Sequence, residues 1–261
     1  MNANRTIARI AGVLFITATV ANILGNVGFL NPILNNPDYL LKIFVNENRV
    51  ILGALFLLIG AFACAGIAIS LYPILRRYHE GLALGSVGFR IIEGVLYIVG
   101  IIGVLLLLTL SQEFVKAGAP ASSYFQTSGV LLRAEYDWAN LTGILAFYLG
   151  ALMYYAIFYQ SKLIPRWLSG WGFVGATLGL VASMFVLFGL IGQLSTIQVV
   201  LNLPIGVQEM VLAIWLIGKG FNSSAIASRS AKTERNQENE HIKVISEGTY
   251  ESNDLHKLRT R

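Results

Sequence analysis

The chain has 261 residues, 55% of them hydrophobic and 13% charged, with a formal net charge of +5. Soluble domains run at roughly 45–50% apolar and 25% charged. Here the last 41 residues alone hold seven of the 19 basic and six of the 14 acidic side chains. The preceding 220 residues therefore lack the charge to coat a water-soluble surface, which excludes a soluble domain, a disordered chain, a coiled coil and a nucleic-acid-binding module.

A helix needs roughly 20 residues to cross about 30 Å of hydrocarbon. Six segments qualify in chain order: Ile7–Leu30, Val50–Leu75, Leu82–Leu110, Trp138–Tyr159, Leu168–Ile191 and Val199–Lys219. None alternates with period two and all exceed the roughly 9–11 residues of a barrel strand, so helices are expected. Arg5 and Arg9 before an apolar run also resemble a signal peptide. The run continues through Leu30, long enough to span, so the first helix is expected to be retained.

The joints carry turn chemistry. Asn31-Pro32 and Asn36-Pro37 are expected to break the first helix, and Pro73 lies near the end of the second. The longest loop, about residues 111–137, could carry a short interfacial helix around Tyr124–Leu132. Lys162 and Arg166 flank the turn before the fifth segment, and Pro204 falls early in the sixth. The domain boundary is expected at 221/222, with a six-helix transmembrane domain over 1–221 and a mixed-charge, disordered tail over 222–261.

Basic residues are distributed unequally between the two sides of such a bundle. One side holds Arg5, Arg9, Arg76, Arg77, Lys162, Arg166, Lys219 and the tail; the other holds Lys42, Arg49, Lys116 and Arg133. The positive-inside rule then puts both termini in the cytoplasm. The fold class is all-α, a polytopic bundle of six helices. Small residues recur at four-residue spacing, with Gly172, Gly175, Gly179 and Ser183 the longest stripe, which reads as a packing face and, alternatively, as a hinge.

Three charges fall inside the apolar segments: Arg90, Glu93 and Glu209. Each costs roughly 2.5–3.5 kcal/mol at a helix centre, so exposure to lipid is disfavoured. At 1.5 Å rise per residue they lie about 12, 16 and 15 Å from the basic edge, in one layer. The economical arrangement has Arg90 bridging both carboxylates and so joining the third and sixth helices, with Tyr97 and Gln208 as further polar groups at that depth. A second, outer group comprises Glu47 and Arg49 at the entry to helix two and Glu135 and Asp137 at the entry to helix four, where acids favour a helix N-terminus.

Cys64 is single, so no intramolecular disulfide or cysteine cluster can form, and two of three histidines lie in the tail. Nucleophile-elbow, zinc-helix, P-loop and dinucleotide patterns are absent. No enzyme activity, metal or cofactor is expected.

The sequence resembles the bacterial membrane-protein family named for the DUF4386 domain of unknown function. The matching pieces are Arg9-Ile-Ala-Gly12, Leu71-Tyr-Pro-Ile-Leu75 with Arg76, Arg90-x-x-Glu93, Ser161 through Ser169, Trp171-Gly172, Leu203-Pro204, Glu209-Met210 and Trp215 through Phe221. The resemblance covers about residues 5–221 and implies a small all-helical protein of the bacterial cytoplasmic membrane, bringing no substrate or catalytic residues with it. The leading expectation is a structural or regulatory membrane protein, in contact with the lipid bilayer and possible membrane-protein partners or a second copy. A small transporter or permease for an ion, proton or polar solute is the alternative, using the buried carboxylates.

Overall fold

The computed structural model describes residues 3–118, 122–193 and 195–229. The chain divides into two compact units, Met1–Phe221 and Asn222–Arg261. The disordered tail expected over 222–261 lies outside the described residues from 230 onward, as do residues 119–121 of the predicted loop.

The first unit is all helix: α1 Ala3–Ile23, a π-helical stretch Leu24–Leu30, α2 Asn31–Leu34, α3 Tyr39–Val45, α4 Glu47–Leu75, α5 Glu80–Ala117, α6 Ser122–Ser161, α7 Arg166–Leu187 and α8 Thr196–Gly218. Six helical stretches are long and apolar enough to cross a membrane, the first running through the π stretch to Leu34. Burial is inverted relative to a soluble protein. Large apolar side chains such as Val20, Leu55, Phe62, Ile92, Val181 and Ile214 are exposed, while Arg90, Glu93, Ser169, Ser183 and Gln208 are buried. An apolar exterior around a polar interior is what a bilayer, and not water, selects. The protein is a multi-pass membrane protein.

Each spanning helix packs on its neighbours in sequence, and α8 returns to α1, closing a six-membered ring. The closure is tight at the end where the first unit begins and ends, the basic end. There Gly12 lies so near α8 that a Cβ would sit 2.7 Å from the Ala213 carbonyl oxygen. Arg5 donates to the carbonyls of Ile217 and Gly218, at the negative end of the α8 dipole. At that same end Arg76, Arg166 and Lys219 lie over the rings of Tyr72, Tyr159 and Trp215, a belt of amphipathic rings and snorkelling cations.

Two predicted boundaries differ from the fold. Asn31-Pro32 does not end the first helix; Pro32 begins α2, and the irregularity is the π stretch before it, closed by Asn31 N–H donating to Asn26 O. Proline has no amide hydrogen to give the carbonyl four residues back; Arg49 supplies a donor instead, 2.8 Å from Gly28 O. The long third connection with its separate interfacial helix is also not formed. α5 continues to Ala117 and α6 begins at Ser122, so Tyr124–Leu132 is the first part of one 40-residue helix. Short apolar turns among polar residues at 122–137 mask a helix whose face is buried by α5 and α3 rather than by lipid.

Candidate functional site

On α5, Arg90 and Glu93 are spaced i, i+3 and only 2% exposed; Arg90 Nη1 lies 3.0 Å from Glu93 Oε2. The pair is thus formed within one helix, which lets α5 enter hydrocarbon with its charge already compensated. Arg90 makes the connections between helices. Its Nε donates to Cys64 O of α4 at 3.2 Å, and its guanidinium lies 4.9 Å from the Phe147 ring centre of α6. Tyr97 is one turn beyond Glu93, its ring laid against Gly143 of α6. Arg90 therefore ties α4, α5 and α6.

The expected bridge from Arg90 to Glu209 is not made. Glu209 accepts instead from Tyr154 of α6 at 3.3 Å. Its neighbour Gln208, fully buried, accepts from Tyr155 at 2.5 Å and donates to Leu168 O of α7 at 3.0 Å. Gln208 is thus spent on holding α6, α7 and α8 together. α5 and α8 stand on different sides of the ring, separated by α6 and α7 in one direction and by α1 and α4 in the other, which is why one guanidinium does not reach both acids.

The geometry of α8 gives Glu209 its interest. It lies four residues after Ile205 and three and four before Leu212 and Ala213, all buried, so it faces the axis of the ring. It nevertheless remains partly exposed. Its carboxylate reaches Tyr154 of α6, a helix that is not a ring neighbour of α8, so it points into the bundle.

Below Glu209, toward the basic end, the axis is filled. Phe15 meets Tyr154 edge to face at 6.4 Å, Tyr154 meets Phe158 at 6.0 Å, and Phe158 meets Phe221 at 6.3 Å. The glycine stripe of α7 makes room for the same tyrosines: Gly172 lies against the Tyr155 ring and Gly179 against the Tyr148 ring, closer than any Cβ could fit. Those contacts make the stripe a packing face.

Above Glu209 lies one polar crossing, Tyr148 donating to Asn202 Oδ1 at 2.8 Å. Beyond it a cavity of about 450 Å³ opens toward the end of the first unit opposite the basic one. Its walls come from the π stretch and α2 (Asn26, Asn31), the following turn (Asn35), α6 (Arg133, Tyr136, Asp137, Asn140, Ile144) and the approach to α8 (Gln193, Gln198). α1 and α6 are not neighbours in the ring, so this space is the mouth of its interior and not a groove between adjacent helices. Tyr136 donates to Asn26 Oδ1 at 2.5 Å across that mouth, and Gln193 donates to the Asp137 carbonyl at 3.1 Å. Arg133 is held at the cavity wall, donating to Leu34 O and Asn35 Oδ1 of the same lining.

The four outer residues do not form one group. Glu47 is in the first turn of α4, as expected, and accepts from Gln112 at 2.9 Å, while Arg49 serves the π stretch. Glu135 and Asp137 stand over a dozen residues inside α6, so a first-turn role does not apply to them. Glu135 is wedged against Gly103 of α5, and only Asp137 faces the cavity. The residues the sequence reading missed are the amides, Asn26, Asn140 and Asn202 above all, and Tyr148 and Tyr154. Their signal was available: polar groups recurring on one face of an apolar helix, three and eight residues apart at Asp137, Asn140 and Tyr148 on α6 and four and seven apart at Gln198, Asn202 and Glu209 on α8. Among the described residues no group of three or more His, Cys, Asp or Glu side chains could hold a metal ion.

Compared with known proteins, residues 10–220 match the family described as Domain of unknown function (DUF4386). No curated protein and no solved structure matches the chain.

Proposed function

From the premise that the chain belongs to the DUF4386 family, we propose that it is a small-solute carrier, non-enzymatic, of the bacterial cytoplasmic membrane, standing open at the end opposite its basic one. The observation that carries this reading is Glu209, which faces the axis yet keeps accessible surface between a filled basic half and an open polar half. Intramembrane acids in such positions mark solute and proton paths. With the basic end in the cytoplasm, the cavity faces outward.

The buried Arg90–Glu93 pair has a different task. It is dry and engaged on three helices, which suits a fixed clasp and not a moving charge. The structural reading of the sequence thus applies to Glu93, and the transport reading to Glu209.

The test is stopped-flow light scattering of proteoliposomes after an osmotic step, with glycerol, ribitol, glucose, sodium chloride and choline chloride as separate probes. At least one probe is expected to enter faster than into empty vesicles, and E209Q to slow that entry by roughly tenfold or more, the weight of a lost charged contact. Entry no faster than into empty vesicles for every probe, or an E209Q variant indistinguishable from the parent, would contradict the proposal.

A further inference from the structure

The cavity at the mouth of the ring has a composition that selects its occupant. About 450 Å³ lies within the roughly 300–1,000 Å³ of small-molecule sites. Only two charges line it, Arg133 and Asp137, and they cancel. An ion entering would shed water without a net opposite charge to receive it, which is costly in a site walled by helices. Amides and phenols, in contrast, both donate and accept, which is the hydrogen-bonding habit of a hydroxyl group. Leu34, Leu141 and Ile144 add apolar wall to cover the C–H faces of a carbon skeleton.

Two further features show a built site. The wall from the first helix is a π-helical stretch, an irregularity that recurs at functional sites because it shifts side chains out of α-helical register. It carries Asn26 to Tyr136 of a helix that is not its neighbour. The guanidinium of Arg133 is held by Leu34 O and Asn35 Oδ1, which fixes its charge, opposite to that of Asp137, at the wall and leaves the amides and carboxylate oxygens to meet the hydroxyls of a solute.

We propose that this cavity binds a small, neutral polyhydroxylated solute, of the size of a polyol or monosaccharide. The assignment rests on the carrier reading, whose solute it names. Asn140 and Asp137 take hydroxyls from α6 and Asn31 from α2, while Ile144 forms the floor toward the Tyr148–Asn202 crossing.

Binding is tested on the full chain in lipid nanodiscs by isothermal titration with ribitol and glucose, with choline chloride and sodium chloride as charged probes. Ribitol or glucose is expected to bind in the parent, and neither charged probe to bind. N140L, which removes an amide that donates to Tyr136 O of its own helix, should weaken binding about tenfold, one hydrogen bond's worth. I144W should abolish binding by filling the floor; an unchanged unfolding midpoint without solute shows that the variant is folded. Polyol binding that survives I144W, binding of choline or sodium in preference to the neutral probes, or no polyol binding at all, would overturn the proposal. Polyol binding lost in I144W but without flux in the vesicles would uphold this site and overturn the carrier reading, so the two fail separately.

Discussion

In the basic half of the ring the axis is filled by Phe15, Tyr154, Phe158 and Phe221, edge against face, whereas in the opposite half the same axis holds a cavity lined by amides. The two halves share helices, so the difference is one of side chains along α1, α6 and α8. α6 shows the change most clearly: Arg133, Asp137 and Asn140 occupy the face that about four or more turns on carries Tyr154, Tyr155 and Phe158. Without a hydrophobic drive between helices in lipid, close packing and internal polar contacts must hold the bundle. The basic half concentrates both; the opposite half leaves room for a solute. Substitutions in the first should therefore cost stability, and in the second should cost binding.

The sharpest break comes from the buried charge. Replacing Glu93 by Leu leaves Arg90 uncompensated in the interior, and unfolding in mixed micelles should register a loss of about 3–5 kcal/mol. The double change R90M/E93L should recover most of that loss, because no lone charge remains. Next is Gly179→Ala on α7, which drives a methyl into the Tyr148 ring and should cost about 1–3 kcal/mol by the same measurement. Y155F removes the donor to the fully buried Gln208 Oε1 and should likewise cost about 1–3 kcal/mol. In the opposite half N140L should move the unfolding free energy by no more than about 0.5 kcal/mol. The smallest effect is expected at Tyr39 of α3, whose buried hydroxyl meets no acceptor: Y39F should be neutral within about 0.5 kcal/mol, since no hydrogen bond is lost.

What could be read from the chain followed what lipid dictates locally. Six apolar runs had to be helices because no other structure satisfies its own backbone in hydrocarbon. Arg90 and Glu93 had to meet because three residues bring them to one face of one helix. The same depth arithmetic failed for Glu209, since depth fixes a layer and says nothing of which helices face each other in it; ring order, set by the contact of α8 with α1, decides that. The cavity was hidden for a related reason. Its walls come from Asn26, Asn140 and Gln193, separated by more than a hundred residues between the first two, and a single amide in an apolar helix carries no mark of its partner. Nothing in the sequence joins the expected Tyr124–Leu132 helix to the rest of α6, because residues 122–137 are polar enough to pass for a loop while their burial comes from α3 and α5, as at Gly129, which faces Tyr39.

The proposal that a solute reaches Glu209 from the cavity end, while the Arg90–Glu93 pair stays closed off, is tested most directly by thiol labelling. In a Cys64→Ala background, E93C and E209C are exposed in oriented vesicles to a membrane-impermeant maleimide from each side in turn. Label is expected on E209C from the cavity side only, and none on E93C from either. Protection of E209C from both sides, or ready labelling of E93C, would contradict it.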